Sequence, residues 1–203
     1  AAVQVATADE AEQAVRAGVD VLVARGAEGG GHGHAGLATL PLLAAVLDRV
    51  DVPVLAAGGI ASGRGLAALL AAGAAGAWIG TGFAACVESL APEPIVAAML
   101  AAFGPDTVLT SVYDRALGYG WTARHPQRIL RNDFIARWAQ DPAGLLADPS
   151  LLQRLRHAIA AHDPRIAPVD AGQGVGLVRA ARPAAEVVES LRAEAAALLG
   201  RWS

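Results

Sequence analysis

Short apolar runs alternate with helical segments through residues 1–80 of this chain, and the connections between them are short. The apolar runs predict the strands Val3–Ala6, Val19–Ala24, Val52–Ala57 and Ala77–Gly80. Helices are predicted between these strands, near residues 7–17, 40–50 and 65–72. A strand–helix–strand order with short loops forms right-handed βαβ units, and their parallel strands are buried on both faces. The sequence therefore predicts an α/β protein with a parallel sheet.

The parallel sheet is interpreted as part of a (βα)8 barrel, or TIM barrel. No Gly-x-Gly-x-x-Gly pattern follows the first predicted strand, which disfavours a nucleotide-binding Rossmann half. A complete barrel needs eight strands and typically about 250 residues, whereas this chain of 203 residues has four predicted strands. We therefore predict the C-terminal half of a TIM barrel in residues 1–91. Half a barrel leaves two strand edges unpaired, so we expect either a fragment or a chain that partners complete, with a homo-oligomer left open.

The composition changes after this barrel segment. Pro, Trp, Arg and His become frequent in residues 92–170, which are interpreted as a helical subdomain. Its helices are predicted near residues 94–103, 132–139 and 149–162. Residues 171–203 are predicted to return to the barrel and to end in a helix near 184–199 that packs on it.

Charge and cysteine content restrict the partners and the compartment. The formal net charge is −3 and the basic residues are scattered, so the sequence predicts neither a nucleic-acid nor a membrane partner. The single cysteine, Cys86, excludes an internal disulfide and is typical of a reducing cytosol. No N-terminal targeting signal is visible, which favours a cytoplasmic location. Residues 65–87 carry no charge, but glycines and predicted turns interrupt them, and a broken backbone would leave polar groups unpaired in lipid.

Three loops that follow predicted strands are rich in glycine: residues 26–36, 58–59 and 80–82. Ligands of parallel α/β proteins bind at the carboxyl ends of the strands, where these loops meet. Glycine lets backbone amides approach an anion closely, and the last two loops of a TIM barrel commonly bind phosphate. Glycines that serve only to make tight turns are the alternative. Because two glycine turns follow consecutive strands, we favour a phosphate site.

The first glycine loop also contains His32, which follows three glycines. An imidazole here is predicted to act as a base or to position a hydrogen bond, with Glu28 as a candidate to orient it. His32 and His34 are spaced as metal ligands, but no third ligand lies nearby in the sequence, so no metal site is predicted. The remaining histidines are predicted at the surface: His125, His157 and His162. Trp78 is predicted in the core, and Trp121, Trp138 and Trp202 are predicted to pack in or against the helical part.

Three segments resemble the nitronate monooxygenases, formerly called 2-nitropropane dioxygenases. They are GAEGGGH (26–32), VPVLAAGGIASGRGLAALLAAGAAGAWIGTGF (52–83) and AGQGVGLVRAARPAAEVV (171–188). The resemblance spans nearly the whole chain and corresponds to the C-terminal part of the family pattern. Members of the family are FMN-dependent TIM-barrel enzymes with a small helical domain. The resemblance implies oxidation of alkyl nitronates, and in some members nitroalkanes, by dioxygen to a carbonyl compound and nitrite.

The resemblance also implies roles for particular residues. The FMN phosphate would be held by the backbone at Gly58, Gly59, Gly80 and Thr81. His32 would face the flavin and the substrate, and Gln173 lies in a segment that the family folds near the flavin.

The sequence departs from the family pattern at Arg25, where glutamine is common, at Gly29 and at Gly82. Two other functions remain as alternatives. The flavin-dependent enoyl-ACP reductases have a similar glycine–histidine loop and similar glycine turns. A truncated, non-catalytic FMN-binding remnant is the third interpretation.

Overall fold

The computed structural model describes residues 1–201. Its strands are β1 (Ala2–Val5), β2 (Val21–Arg25), β3 (Gly31–His32), β4 (Val54–Ala57), β5 (Gly76–Trp78), β6 (Thr107–Thr110) and β7 (Gln127–Leu130). Its helices are α1 (Ala8–Arg16), α2 (Thr39–Leu47), α3 (Gly63–Ala71), α4 (Thr81–Ala84), α5 (Glu93–Ala101), α6 (Val112–Leu117), α7 (Asp133–Trp138), α8 (Pro142–Ala147), α9 (Pro149–Ala160) and α10 (Ala184–Leu199). Two short 3-10 turns cover Gly104–Asp106 and Gln173–Leu177.

The four predicted strands form one parallel sheet in the order β1-β2-β4-β5. One row across this sheet runs from Gln4 to Val23, then to Leu55 and Gly76. Helices α1, α2 and α3 connect successive strands, as the alternating pattern predicts. The prediction of an α/β fold with four parallel strands is confirmed.

Local capping explains where two of these helices begin. The Thr7 side chain accepts a hydrogen bond from the amide of Glu10, and the Glu10 carboxylate in turn accepts from the amide of Ala6. At the start of α3, the Ser62 hydroxyl accepts from the amide of Gly65. Such side chains satisfy amides that have no partner in the first helical turn, so the helix boundaries are encoded locally.

A second, antiparallel sheet has the order β3-β7-β6 and was not predicted. Strands β6 and β7 lie within residues 92–170, which the sequence pattern indicated as helical. Each has four residues, and β7 is buried along its whole length although it begins with Gln127 and Arg128. Short strands with polar residues at buried positions show neither the alternation nor the continuous apolar run that identifies a strand. The division of the chain into three segments stays a prediction.

Three apolar clusters hold these elements together. The first joins α1, α2 and α3 to the parallel sheet, with Leu22 and Leu43 completely buried. The second joins helices α6 to α9 to β7, and within it the rings of Tyr113 and Phe134 stack with centroids 4.8 Å apart. The third joins α5 and the end of β7 to residues 169–175. This third cluster fixes the 169–175 segment beside the carboxyl ends of the parallel strands.

The C-terminal helix α10 packs against α3. The amide of Gly63 donates to the Glu194 carboxylate over 2.7 Å. A β-carbon on Gly63 would lie 2.4 Å from that of Glu194, so the two helices approach at a point where only glycine fits.

The uncharged stretch 65–87 is divided among α3, β5 and α4. Within residues 1–201, no helix has both the length and the apolar character needed to cross a membrane. The prediction that Trp78 lies in the core is wrong, because its side chain is 58% exposed at the end of the edge strand β5. Trp138 packs against the second cluster as predicted, and Trp202 lies outside the described residues.

Candidate functional site

A cavity of about 320 Å³ opens where the parallel strands end. Gly58, Gly59, Gly80 and Thr81 all line it, so the two glycine turns predicted to hold a phosphate meet at one cavity. The rest of its wall comes from Gln4, Arg25, Gly29, Gly30, Gly31, Ala57, Ile60, Trp78, Ile79, Ala84, Asp170, Gly172 and Gly174. The wall therefore combines all three glycine-rich loops with the 170–174 segment.

The backbone amides of the two glycine turns are available to a ligand. Within residues 1–201, the amides of Gly58, Gly59, Gly80 and Thr81 make no hydrogen bond. Gly58 and Gly59 have φ angles of +112° and +72°, a backbone conformation that L side chains rarely adopt. Gly58, Gly59 and Thr81 are partly buried and Gly80 is exposed. Partly buried amides are normally paired, so three unpaired ones along a cavity wall indicate a site for an acceptor, such as an anion.

The 170–174 segment is locked onto the other loops by close backbone contacts. The amide of Gly172 donates to the Thr81 hydroxyl over 2.9 Å, and the amide of Gln173 donates to the carbonyl of Glu28 over 2.9 Å. A β-carbon on Gly30 would lie 2.7 Å from the nitrogen of Gly172. Gln173 itself is exposed and does not line the cavity, although its neighbours Gly172 and Gly174 do. Its role near a flavin stays a prediction.

The side chain of Arg25 holds the first glycine loop by hydrogen bonds to three of its carbonyls. Its side chain is buried, and Nη2 donates to the carbonyls of Gly29, Gly30 and Gly31 over 2.8, 2.9 and 3.1 Å. Desolvation lowers the pKa of the Arg25 guanidinium below its usual value, with a further contribution from the charge of Arg128. Arg25 is thus a buried cation in the cavity wall.

His32 lies in the short strand β3, where it pairs with Gln127 of β7. Its Nε2 lies 2.8 Å from Oδ1 of Asp114, and its ring stacks on Trp121 with centroids 4.3 Å apart and planes inclined by 10°. His32 is not among the residues that line the cavity, whereas the preceding Gly31 is. His32 therefore adjoins the cavity lining through Gly31, and its side chain is 16% exposed.

Asp170 is an exposed carboxylate of the cavity wall whose charge interacts with that of His32. It faces the cavity, and its Oδ1 accepts a hydrogen bond from Nε2 of Gln127 over 2.9 Å. Desolvation by the surrounding protein raises the pKa of the Asp170 carboxyl, while the bond from Gln127 and the charges of His32 and Arg25 oppose that rise. A carboxyl with a raised pKa in a cavity is a recurrent property of functional sites.

Several residues of this site could not be assigned from the sequence. Glu28, the predicted partner of His32, instead binds the amide and hydroxyl of Thr39, both over 2.6 Å, at the start of α2. The carboxylate that contacts His32 is that of Asp114 instead of Glu28. Trp121, predicted to pack in or against the helical part, covers the His32 ring and is 53% exposed. Asp114 is separated from His32 by 82 positions, and no local pattern marks it. Asp170 has one weak signal, since it immediately precedes the AGQGVG segment.

The other histidines show no common site. Nδ1 of His34 accepts from the amide of Gly36, and the ring of His34 meets His125 edge-on. His157 and His162 are exposed, as predicted. Among residues 1–201, no three or more His, Cys, Asp or Glu side chains are grouped so that they could hold a metal ion.

The profile of the nitronate monooxygenase family matches residues 1–194. A putative monooxygenase of Mycobacterium tuberculosis is 38% identical over 194 residues, which cover 90% of this chain and 49% of that protein. The solved structure of FabK from Thermotoga maritima matches with a TM-score of 0.83 and 33% identity, over 99% of this chain and 62% of that one. The nitroalkane oxidase from Streptomyces ansochromogenes also has a TM-score of 0.83, with 36% identity, over 100% of this chain and 59% of that one.

These similarities place the parallel sheet in a TIM-barrel fold. The chain spans about half the length of the curated relatives it matches.

Proposed function

The chain belongs to the nitronate monooxygenase family, and from that premise we propose that it binds FMN in the cavity and oxidises alkyl nitronates with dioxygen. The products are a carbonyl compound and nitrite. One observation carries this proposal: unpaired amides of two separate glycine turns, at Gly58–Gly59 and Gly80–Thr81, line the same cavity. The Asp170 carboxyl lies in the same wall, close enough to His32 for the two charges to interact.

The residues present fit a flavin mononucleotide. A phosphate dianion needs several hydrogen-bond donors at short range, and the amides of the two turns are donors without another partner in the described chain. Gly58 and Gly59 hold their positive φ angles without side chains, so the backbone itself can touch the ligand. The buried cation Arg25 and the loop carbonyls it binds form a polar wall at residues 29–31 for the remainder of the ligand.

FMN, when bound, supplies the electron acceptor that a nitronate requires and the centre that reacts with dioxygen. The protein positions the substrate and provides the groups that remove or donate its proton. His32 would take the α-proton of a neutral nitroalkane or, when protonated, donate a hydrogen bond to a nitronate oxygen. Trp121 covers the ring of His32 and restricts water around it.

The proposal is tested on the purified chain with added FMN and an alkyl nitronate. We expect FMN to remain bound after gel filtration, with the absorption spectrum of a flavoprotein, and nitrite to be released as oxygen is consumed. His32→Ala should lower nitrite release by roughly 100-fold while FMN stays bound. His157→Ala, at an exposed position on α9, is the matched control and should retain full activity.

Two results would contradict the proposal. A folded chain that does not retain FMN would show that the glycine turns do not form a phosphate site. A chain loaded with FMN that neither releases nitrite from a nitronate nor oxidises NADH with an enoyl thioester would support the non-catalytic remnant instead.

Enoyl-ACP reduction is the second candidate function. The match to FabK of Thermotoga maritima has the same TM-score as the match to the nitroalkane oxidase. Oxidation of NADH that depends on an enoyl thioester, without nitrite release from nitronates, would favour this candidate.

The proposed function also agrees with the chemistry of the whole chain. The net charge of −3 and the free thiol of Cys86 support a small-molecule substrate and a cytoplasmic location rather than a nucleic-acid partner or an oxidising compartment.

A further inference from the structure

We propose that Asp114 is a positioning residue for His32: it holds the proton on Nε2 and thereby leaves Nδ1 as the basic nitrogen of the site. The use of Nδ1 in catalysis rests on the proposed function. The assignment of the proton to Nε2 does not, because it follows from the hydrogen bonds of the protein alone.

The hydrogen bond between the two residues is short and shielded from solvent. Oδ1 of Asp114 lies 2.8 Å from Nε2 of His32, and the side chains are 6% and 16% exposed. A carboxylate can only accept hydrogen bonds, so the neutral imidazole must carry its proton on the nitrogen that faces Asp114. The proton of the neutral His32 ring therefore lies on Nε2.

The two nitrogens of the ring have different surroundings. Within residues 1–201, Nε2 has Asp114 as its partner, whereas Nδ1 makes no hydrogen bond. Stacking on Trp121, together with the bond to Asp114, fixes the plane of the ring. Nδ1 is therefore the nitrogen left with a free lone pair.

Asp114 has no competing side-chain partner in the described part of the chain. Its carboxylate makes its hydrogen bond to His32, and its backbone carbonyl accepts from the amide of Tyr119. The other charged groups around the histidine form their hydrogen bonds with other partners. Asp170 interacts with His32 through its charge but accepts its hydrogen bond from Gln127. Arg25 binds the loop carbonyls, and Arg128 binds the carbonyl of Ala27 and the hydroxyl of Thr107.

In this arrangement, Nδ1 of His32 is the atom that accepts the α-proton of a nitroalkane. The Cα–H bond of the substrate breaks, its electron pair passes into the nitro group to form the nitronate, and the proton bonds to Nδ1. The imidazolium so formed keeps its Nε2–H bond to Asp114, whose negative charge stabilises the new positive charge. For a substrate that is already a nitronate, the protonated Nδ1 is a hydrogen-bond donor instead.

The tautomer can be measured directly in protein labelled with ¹⁵N-histidine. Long-range ¹H–¹⁵N correlation spectra, recorded where the ring is neutral, distinguish a protonated from an unprotonated ring nitrogen. The His32 signals are identified by their loss in His32→Asn. We expect Nε2 to be protonated and Nδ1 unprotonated in the wild-type chain. In Asp114→Asn the preference should be lost, because an amide can also donate to the ring.

Asp133→Asn is the matched control, since Asp133 is exposed on α7 and makes no contact with His32. It should leave the tautomer unchanged. A wild-type His32 with its proton on Nδ1 would overturn the proposal, and so would an Asp114→Asn variant that keeps the Nε2–H form. The wild-type spectrum alone decides the assignment if the Asp114 variant does not fold.

Kinetics provide the second measurement on protein loaded with FMN. Asp114→Asn should lower kcat/KM for a neutral nitroalkane by roughly 10- to 100-fold and lower that for the corresponding nitronate much less, because only the nitroalkane requires proton removal. Equal losses for both substrates would overturn the role of Asp114 in proton transfer. If no variant releases nitrite, the proposed function fails, while the spectra still decide whether Asp114 positions the proton.

Discussion

The guanidinium of Arg25 occupies the space that a side chain on Gly33 would need. A β-carbon built on Gly33 would lie 1.6 Å from Nη1 of Arg25 and 2.2 Å from its Cζ. A β-carbon built on Gly29 would also clash with Arg25, but less severely, since it would lie 2.9 Å from Nε. These glycines of the histidine loop therefore make room for a buried cation as well as allowing the loop to turn.

Gly33→Ala should displace Arg25 and disorder the loop that carries His32. We expect a loss of about 1–3 kcal/mol in the free energy of unfolding, as for other overpacked interior sites. FMN should bind more weakly, because residues 29–31 lose the donor that holds their carbonyls. Urea denaturation and FMN titration measure the two effects. Gly120→Ala is the control, since its β-carbon meets no atom within 4 Å. Equal stability of the two variants would show that Arg25 is not held as described.

Substitutions at Gly80 and Gly58 should affect different properties: the first should weaken FMN binding, and the second should lower the free energy of unfolding. A β-carbon on Gly80 meets nothing within 4 Å and its φ angle is −98°, so Gly80→Val should fold normally. It should nevertheless weaken FMN binding by at least about tenfold, or about 1.4 kcal/mol, because the added methyl groups narrow the phosphate site. Gly58→Ala should instead lose about 1–3 kcal/mol of stability, since φ is +112°. Unfolding curves and FMN titrations of both variants test this, and unchanged FMN affinity in folded Gly80→Val would contradict it.

The contact between α3 and α10 should depend on a single glycine. Gly63→Ala places a β-carbon 2.4 Å from that of Glu194 and 2.8 Å from the carbonyl oxygen of Leu191, so it should destabilise the chain by about 1–3 kcal/mol. Gly65→Ala, two residues later in the same helix, has no neighbour closer than 3.7 Å and should stabilise the chain by about 0.5–1 kcal/mol. Thermal unfolding measures both. A shift of the same sign for both variants would show that the helices are not packed this closely.

Asp170 should make stability depend on pH. Asp170 is exposed at the open cavity, yet desolvation by the protein around it raises its carboxyl pKa above the usual 3.8, so the folded state binds a proton more readily than the unfolded state. Its contribution to stability is therefore present at low pH and is lost as pH rises through the folded pKa. Asp170→Asn, which keeps an oxygen for Gln127, should be more stable than wild type at about pH 7, with an advantage that shrinks on acidification toward about pH 4. Urea titrations across this range measure the difference.

The control for this pH dependence is Asp51→Asn, at an exposed position. It should follow the wild-type curve throughout. A constant difference between Asp170→Asn and wild type across the range would show that the carboxyl does not titrate differently in the two states.

The order of elements in the first half of the chain could be predicted because its signals are local. Apolar strands such as Val54–Ala57, the caps at Thr7 and Ser62, and the glycine turns are read from a few neighbouring residues. The resemblance to a known family followed from three such segments in order. The second sheet could not be predicted in this way, because β3 is two residues long and exists through its pairing with β7.

In the candidate site, too, some features could be predicted from local sequence and others could not. Periodicity and turn chemistry, which are local, place Gly58, Gly59, Gly80 and Thr81 at the ends of the parallel strands, where they line the cavity. The surroundings of His32 depend on how distant elements fold together. Asp114 and Trp121 reach it from distant parts of the chain, and Glu28 turns away to Thr39. The partner of a buried polar group depends on which elements converge in space, and no spacing along the sequence contains that information.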